Sequence, residues 1–562
     1  MTNPFLAVPV NLSRKRGSFI QHSNSLSSGN IGIKKVLSHL RSRVDVWRVA
    51  LLVFLSVYGF ALLLNLGYMA IQWDEIPHVY GGLLLLRGQI PTYMATYGYY
   101  PPLYDIVTTG YYLILGASAA SARLTAVTFS LLSVGITFEL AKRTYGPKIA
   151  LLSSVLLGVM PGFFWLSRVT MLETTLIFFF TLTLFFFFTW LSKGKDRALI
   201  ASCLALGVGF LAKYQILVAG IVMIFGILWL GKDKLKLRFR KFLLVPIIAV
   251  AVIVPWLIIL YQTNGVNNFG QLLYAIQEGG QDRAQYSTRF PAPIFYLIEM
   301  TWPFNDIPVH PISLPLFALG LVGLGIYAWR RKTEDKFFLT WFAVVYVFFT
   351  FIPNKQWRYV TTIFPVLAIS AASLVFFIYG KLGQAWKKEK LSLNRKHIFQ
   401  IVAGLLIVFS VGAIIYSSNE AYLMVARDQV YIPAAEAASY ISERMIATDS
   451  VMVLCAVNRF NQDMVKFYLE ANGSKDNEVL QYPQMAVDAF KPNFNVTELI
   501  RICQEKNVKF VLLYEYGGDF PYFDSNMTAM DVYLDLTVNS GNFIVEQTVG
   551  SSPRTITIFS FA

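Results

Sequence analysis

Apolar residues in this chain come in long unbroken runs rather than at strand-like or amphipathic intervals. Runs of about 20 residues with almost no charge, the length a helix needs to cross a bilayer, recur through the first three quarters of the sequence. They predict about eleven transmembrane helices, near residues 46–71, 121–141, 149–166, 173–191, 198–212, 215–230, 242–262, 311–329, 337–352, 359–380 and 398–418. After Ser418 the pattern changes. Residues 419–562 alternate amphipathic stretches (AAEAASYISERM, VTELIRICQEKN) with short β-branched or aromatic runs (VMVLCA, VKFVLLYEY, FIVEQTV, TITIFSF), which predicts a soluble α/β domain. Residues 1–45, rich in Ser and Arg, show neither period and are expected to be a disordered basic tail without a cleavable signal peptide. The chain is therefore read as a polytopic α-helical membrane protein in three parts, 1–45, 46–418 and 419–562. A content of 55% hydrophobic and only 14% charged residues fits that class and excludes an ordinary soluble domain.

A net charge of +15 would point a soluble protein toward nucleic acid. Here most of the 48 Lys and Arg fall in six gaps between apolar runs: the N-terminal tail, Lys142 to Lys148, Lys193 to Arg197, Lys232 to Lys241, Arg330 to Lys336 and Lys381 to Lys396. The positive-inside rule assigns all six to the cytoplasm, so the basic balance is membrane topology and no nucleic-acid partner is needed. The rule also decides an ambiguous stretch, YYPPLYDIVTTGYYLILG (Tyr99 to Gly116), because counting it as a span would turn every later basic loop outward. It is read as a juxtamembrane or re-entrant helix on the outer face. This topology leaves the N-terminus cytoplasmic and the C-terminal domain extracytoplasmic, and a prokaryotic plasma membrane is the expected location. The N-x-S/T triplets at Asn472, Asn495 and Asn526 agree with that side. Cys455 and Cys503 are read as buried thiols in preference to a disulfide.

With the basic loops inside, the outer face carries WDEIPH (Trp73 to His78), Arg87 to Asp105, SRVTMLE (Ser167 to Glu173), LAKYQ (Leu211 to Gln215), the long loop Gln262 to His310 and PNKQWRY (Pro353 to Tyr359). Charge at a membrane edge is costly unless it is paired, hydrated or used, and one outer cavity explains all of these loops together. Lys213, Lys355, Arg358, Arg168 and Arg289 offer cations at headgroup depth, suited to a lipid phosphate. Asp74 could take a proton from an acceptor hydroxyl, while cations beside the donor stabilise a departing phosphate. Together these residue types suit glycosyl transfer from a polyprenyl-phosphate sugar.

Six segments, the Asp-Glu pair after the first span, YYPPLYD, ARLTAVTFSLL with AKRTYG, PGFFWLSRVTMLET, LGVGFLAKYQ and NKQWRYVTTIFPVLAI, resemble the membrane module of GT-C glycosyltransferases. Within that superfamily the likeness is to dolichyl-phosphate-mannose protein O-mannosyltransferases and lipid A aminoarabinose transferases, and it runs in order from about Asp74 to Ser370. The resemblance implies a GT-C fold and an inverting transferase that uses a lipid-phosphate-linked monosaccharide, with Asp74 as the catalytic acidic residue and Glu75 organising the acceptor side. It implies that Lys213, Lys355, Arg358 and Tyr359 surround the donor phosphate. The acceptor, a protein, lipid or glycan, is not inherited: the loop Gln262 to His310 has no room for a β-trefoil, and Tyr99 and Tyr100 stand where aminoarabinose transferases carry an acidic residue and a lysine.

Other readings of the same residues stay open. Asp74 and Glu75 could cap a helix, Lys213 could snorkel to headgroups, and Arg358 beside Trp357 could be an interfacial anchor. Arg168 and Glu173 could form a structural ion pair, or Glu173 could bind substrate. His78 lies one helical turn after Asp74, so it could bind substrate or join Asp74 and Glu75 around a divalent metal, although no cofactor is required. Tyr97, Tyr99, Tyr100 and Tyr104 could be an aromatic belt or a sugar platform. The loop Gln262 to His310 could close over the cavity or stay a static hairpin. Alternative functions are an oligosaccharyltransferase-like enzyme, disfavoured by the missing W-W-D-Y-G motif, or a lipid-glycan flippase, disfavoured by charge gathered at one membrane face.

Overall fold

The computed structural model describes residues 45–230, 244–264, 287–301, 310–386, 393–428, 430–454, 459–474, 477–483, 494–515 and 528–562, with a few isolated positions between them. The tail to residue 44, the basic stretch Lys232 to Lys241, most of the loop between 265 and 286, Cys455 and Asn526 lie outside these described residues. By contacts, residues 1–49 form one unit and Ala50–Ala562 another, so the helical part and the C-terminal sheet belong to a single body.

Six helices among the described residues are long and apolar enough to cross a membrane: Val46–Leu63, Ala119–Tyr145, Glu173–Lys193, Pro246–Thr263, Trp357–Gln384 and Gln400–Arg427. Shorter apolar helices cover Pro147–Gly158, Tyr214–Leu230 and Leu314–Arg330, and Asp196–Phe210 and Thr333–Phe351 are helical too. Each predicted span thus corresponds to helix in an integral membrane protein, but the one near 149–166 is interrupted. Its helix ends at Gly158 and another starts at Pro161, whose ring lacks the N–H that a continuing helix would require.

The ambiguous Tyr99 to Gly116 stretch forms a helix only over Leu103–Leu115. Its 13 residues rise roughly 20 Å, short of the ~30 Å hydrocarbon core. It packs instead along the helix Ile76–Leu86, where Thr109 donates to the Gly82 carbonyl (3.0 Å) and Tyr112 to that of Val79 (2.9 Å). This close approach explains the Gly81-Gly82 pair. A Cβ on Gly82 would lie 2.9 Å from Thr108 Cγ2, and one on Gly81 would lie 3.2 Å from Asp105 Oδ2.

The composition changes at Ser418, yet the helix Leu393–Asp428 runs ten residues past it, since a helix leaving apolar surroundings need not end there. Beyond it lies a five-stranded sheet of order β2-β1-β3-β5-β4, with β1 Ser450–Leu454, β2 Val479–Tyr482, β3 Val508–Glu515, β4 Phe543–Ser551 and β5 Arg554–Phe561. β1 pairs in parallel with β2 and β3, whereas β5 is antiparallel to β3 and β4. Alternate side chains feed two apolar layers. Val451 and Val453 meet Ala437, Ile441, Val465 and Leu469, while Met452 and Leu454 share the opposite layer with Leu499, Cys503 and Val532. Cys503 is a buried free thiol. Sequence pattern missed β2 and the helix Gln462–Ala471, which Asn461 caps by accepting from the N–H groups of Asp463 and Met464.

That helix joins the domain to the helical bundle. Glu470 accepts from Tyr80 (2.6 Å) and from Arg87 (3.0 Å), and Ala70 donates to the Val430 carbonyl (2.8 Å).

Candidate active site

The site is built on a tight 3-10 turn, Trp73–Glu75, that leads straight into the helix Ile76–Leu86. Three residues per turn send the adjacent carboxylates in different directions. Glu75 points inward and has no exposed surface. Its Oε1 accepts from Arg123 Nε (2.9 Å) and the Thr170 N–H (2.7 Å), and its Oε2 from Arg123 Nη2 (2.9 Å) and the Gln72 N–H (2.9 Å). Burial alone would raise its pKa, but the Arg123 guanidinium and these N–H donors hold it below the usual carboxylate value. Arg123, equally buried, also donates to the carbonyls of Leu66, Met69 and Ala70, fixing the chain that enters the turn.

Asp74 points outward, with 44% of its side chain exposed, and its Oδ2 accepts from Arg358 Nη2 at 2.8 Å. Arg358 also donates to Gln356 Oε1 (2.9 Å), its Nη1 touches Met171 Sδ (3.2 Å), and it lies in the electrostatic field of Glu173 and Tyr359. Glu173, at the start of the helix Glu173–Lys193, accepts from Lys213 Nζ at 2.9 Å. Two carboxylate-cation pairs therefore meet where the first loop, the helix after Leu172 and the Pro353 to Tyr359 loop converge. Tyr100 feels both Asp74 and Arg358 and packs against Tyr99, ring centroids 4.2 Å apart.

Other residues singled out from sequence sit differently. Glu75 does not face an acceptor, because both of its oxygens are consumed by buried donors, and its position makes it a support for the turn. Arg168 neither pairs with Glu173 nor joins Lys213 and Arg358 at the site. Its guanidinium caps the end of the first helix, donating to the carbonyls of Ala61 (3.1 Å), Leu62 (2.7 Å) and Leu64 (2.6 Å), which satisfies groups that helix termini leave open. Lys355 is buried, donates to the Ile352 carbonyl at 2.6 Å and is tied through its N–H to Ser287, and burial lowers its pKa. The Tyr359 hydroxyl accepts from Asn354 (3.1 Å). Arg289 lies on an exposed bend with its guanidinium over the Phe290 ring.

His78 is buried, and its Nδ1 lies 2.8 Å from Asp105 Oδ1; Tyr93 donates to Asp105 Oδ2 at 2.8 Å. The donor set suggested for a metal therefore does not fit: Asp74 faces Arg358, Glu75 faces Arg123 and His78 faces Asp105. Among the described residues no group of three or more His, Cys, Asp or Glu is arranged to hold a metal ion.

Sequence reasoning singled out neither Arg123 nor Asp105 as functional, although both lay inside quoted segments. A lone Arg within an apolar span and a lone Asp within an apolar helix were the available signals.

Residues 100–259 match the family described as dolichyl-phosphate-mannose-protein mannosyltransferase. Two uncharacterised proteins of Aquifex aeolicus are 25% identical over 304 residues, or 53% of this chain, and 27% identical over 281 residues, or 49%. The matches span 66% and 52% of those proteins' own lengths. Among solved structures, ArnT from Cupriavidus metallidurans superposes with a TM-score of 0.62 in its apo state at 16% identity, covering 91% of this chain and 97% of ArnT. The undecaprenyl-phosphate-bound form of ArnT gives 0.61 at 17% identity, over 91% of this chain and 98% of ArnT. The apo Archaeoglobus fulgidus oligosaccharyltransferase gives 0.53 at 13% identity, over 83% of this chain and 69% of that one. The chain thus shares its fold with ArnT and the archaeal oligosaccharyltransferase, and with the family match over residues 100–259 it resembles the GT-C superfamily of membrane glycosyltransferases.

Proposed function

We propose that the protein transfers a monosaccharide from a polyprenyl-phosphate carrier to an acceptor hydroxyl, with inversion, on the extracytoplasmic face of a prokaryotic plasma membrane. The observation that carries this reading is the half-exposed Asp74–Arg358 pair beside Glu173–Lys213. Arg358 and Lys213 are the cations assigned to the donor phosphate, with Lys355 and Tyr359 on the same loop behind them. The structure of ArnT with undecaprenyl phosphate supports a lipid carrier of this kind by likeness of fold.

Asp74 is assigned as the base. An ion pair with Arg358 stabilises the carboxylate and makes it a weak base. The donor's phosphodiester monoanion, drawing the guanidinium away through its preference for bidentate oxygen ligands, would raise the basicity of Asp74 only once the donor is in place. The acceptor oxygen then bonds to the anomeric carbon, the bond from that carbon to the phosphate oxygen breaks, and its electron pair leaves on the lipid phosphate. The acceptor proton goes to Asp74. Charge growing on the departing phosphate is met by Arg358 and Lys213. The arrangement of basic loops supports a cytoplasmic N-terminus and an extracytoplasmic C-terminal domain.

Purified protein incubated with a panel of polyprenyl-phosphate sugars and mixed acceptors should release free lipid phosphate from one or a few donors. Substrate crossing sealed liposomes with no covalent product would replace this reading with transport.

A further inference from the structure

The C-terminal domain has no part in the reaction just described, yet it grips the chain on both sides of Asp74. Ahead of the 3-10 turn, residues 64–72 form turns but neither helix nor strand, so no rigid element of their own carries them into the site. Within them the Ala70 N–H donates to the Val430 carbonyl (2.8 Å), and Ala70 is buried in the domain's own apolar layer with Ile432, Ala437 and Val453. Tyr68 stacks on Tyr431, ring centroids 5.1 Å apart. The Ala70 carbonyl accepts from Arg123 (3.3 Å), the same guanidinium that holds Glu75. One residue therefore links the domain, through its N–H, to the Arg123–Glu75 pair, through its carbonyl.

Beyond the turn, the helix Ile76–Leu86 is held by the domain helix Gln462–Ala471. Glu470 is 5% exposed, and both of its oxygens are satisfied from across the junction: Oε1 by the Tyr80 hydroxyl (2.6 Å) and Oε2 by Arg87 Nη1 (3.0 Å). Arg87 also donates to the carbonyls of Glu470 and Ser474, closing the open end of that domain helix. Phe467 lies against Tyr112, whose hydroxyl bonds the Val79 carbonyl (2.9 Å), and Tyr468 lies in the electrostatic field of Arg123 and Glu75.

An apolar contact would join two parts of a protein without the cost of burying a carboxylate. Hydrogen bonds to Glu470 are directional, so they fix the rotation and height of the helix Ile76–Leu86 and not only its proximity. The turn Trp73–Glu75 is continuous with that helix, and Asp74 moves with it. A base has to lie within hydrogen-bond reach of the proton it takes, and a displacement of about 1 Å is enough to lower the rate.

Resting on the assignment of Asp74 as base, we propose that the C-terminal domain clamps the catalytic turn in its working position, with Glu470 and Tyr80 as positioning residues. Its contacts set kcat and leave affinity for the acceptor unchanged.

The test uses the full-length protein with undecaprenyl-phosphate-linked hexoses as donors and methyl glycopyranosides and a Ser/Thr peptide as acceptors, reading release of lipid phosphate. Glu470→Leu should lower kcat by roughly 10- to 100-fold and Tyr80→Phe by roughly 10-fold, with KM for donor and acceptor in place. Glu470→Gln, which keeps an acceptor for the Tyr80 hydroxyl, should recover most of the rate. In an Asp74→Asn background Tyr80→Phe should cost little more, since no base remains to be positioned. Leu499→Ala, in the opposite apolar layer of the sheet, should lower stability and leave kcat alone. Tyr80→Phe removes one oxygen only and carries the test where Glu470→Leu fails to fold. An equal loss of kcat in Leu499→Ala overturns the inference, because the effect is then general stability. A raised acceptor KM at unchanged kcat overturns it too, by making the domain an acceptor-docking surface. Inactive Asp74→Asn beside fully active Tyr80→Phe and Glu470→Leu overturns this inference alone. Retained transfer in Asp74→Asn removes the base assignment and this inference with it.

Discussion

Asp74 and Glu75 are neighbours on one turn, both paired with arginine, and the two pairs behave as opposites. Glu75–Arg123 is wholly buried, each oxygen of the carboxylate taking two donors. Asp74–Arg358 has 44% and 19% of its side chains exposed and a direct contact at 2.8 Å. The buried pair cannot exchange partners, since removing either charge strands the other in a low-dielectric interior. The exposed pair contributes little to stability and can trade its partner for a ligand. In the proposed function a catalytic carboxylate must be free to meet substrate yet held in place, and the turn would divide those demands between Asp74 and Glu75.

Separating the two pairs experimentally begins with the outward residue. Asp74→Asn keeps the shape of the side chain and removes its basicity, so transfer should fall by roughly 10²- to 10⁴-fold. Thermal unfolding in detergent should shift by no more than about 0.5 kcal/mol, as for other surface changes. Retained transfer in this variant would overturn Asp74 as the base. The inward pair should respond in reverse. Arg123→Met leaves Glu75 buried and unpaired, at a cost of about 3–5 kcal/mol in stability. Adding Glu75→Gln to Arg123→Met should recover part of that loss, a coupling that a double-mutant cycle reads directly.

How much of this was legible in the sequence follows from which interactions are local. Helices announced themselves because an apolar run of span length carries its own signal, and the strands VMVL and VKFVLLYE did so through β-branched residues. Asp74, Lys213 and Arg358 could be named because each is a charge at the end of an apolar run. Which charge meets which could not. Arg123 is 48 positions from Glu75, and Arg358 is 284 from Asp74, distances over which no periodicity carries information. Arg168 shows the cost of reading charge without geometry: a cation at headgroup depth was assigned to phosphate, whereas its donors close a helix end that sequence spacing left invisible. The helix Gln462–Ala471 was passed over because its polar first turn and brief apolar face resemble a loop until Asn461 is seen to cap it.

A smaller effect separates the two pairs within the site. Lys213→Gln removes one of the cations assigned to the donor phosphate and also the partner of Glu173. The loss of one charge-assisted hydrogen bond corresponds to about 1.5–3 kcal/mol. It should appear as weaker donor binding, read as a raised KM for the polyprenyl-phosphate sugar with acceptor KM unaffected.

The smallest effect is confined to acid pH and belongs to Glu75. Although burial opposes it, Glu75 is held below its ordinary value by Arg123 and the backbone N–H groups, so its folded-state pKa is lower than its unfolded one. A depressed carboxylate contributes stability fully above the unfolded pKa, about 4.3 for Glu, and loses that contribution as pH falls through the lower folded value. Unfolding free energies of unaltered protein and Glu75→Gln should therefore differ by a constant amount from pH 8 to 5 and converge below about 4. Convergence near neutral pH for Glu75→Gln would place the carboxylate outside the Arg123 pair and undo the division of labour on this turn.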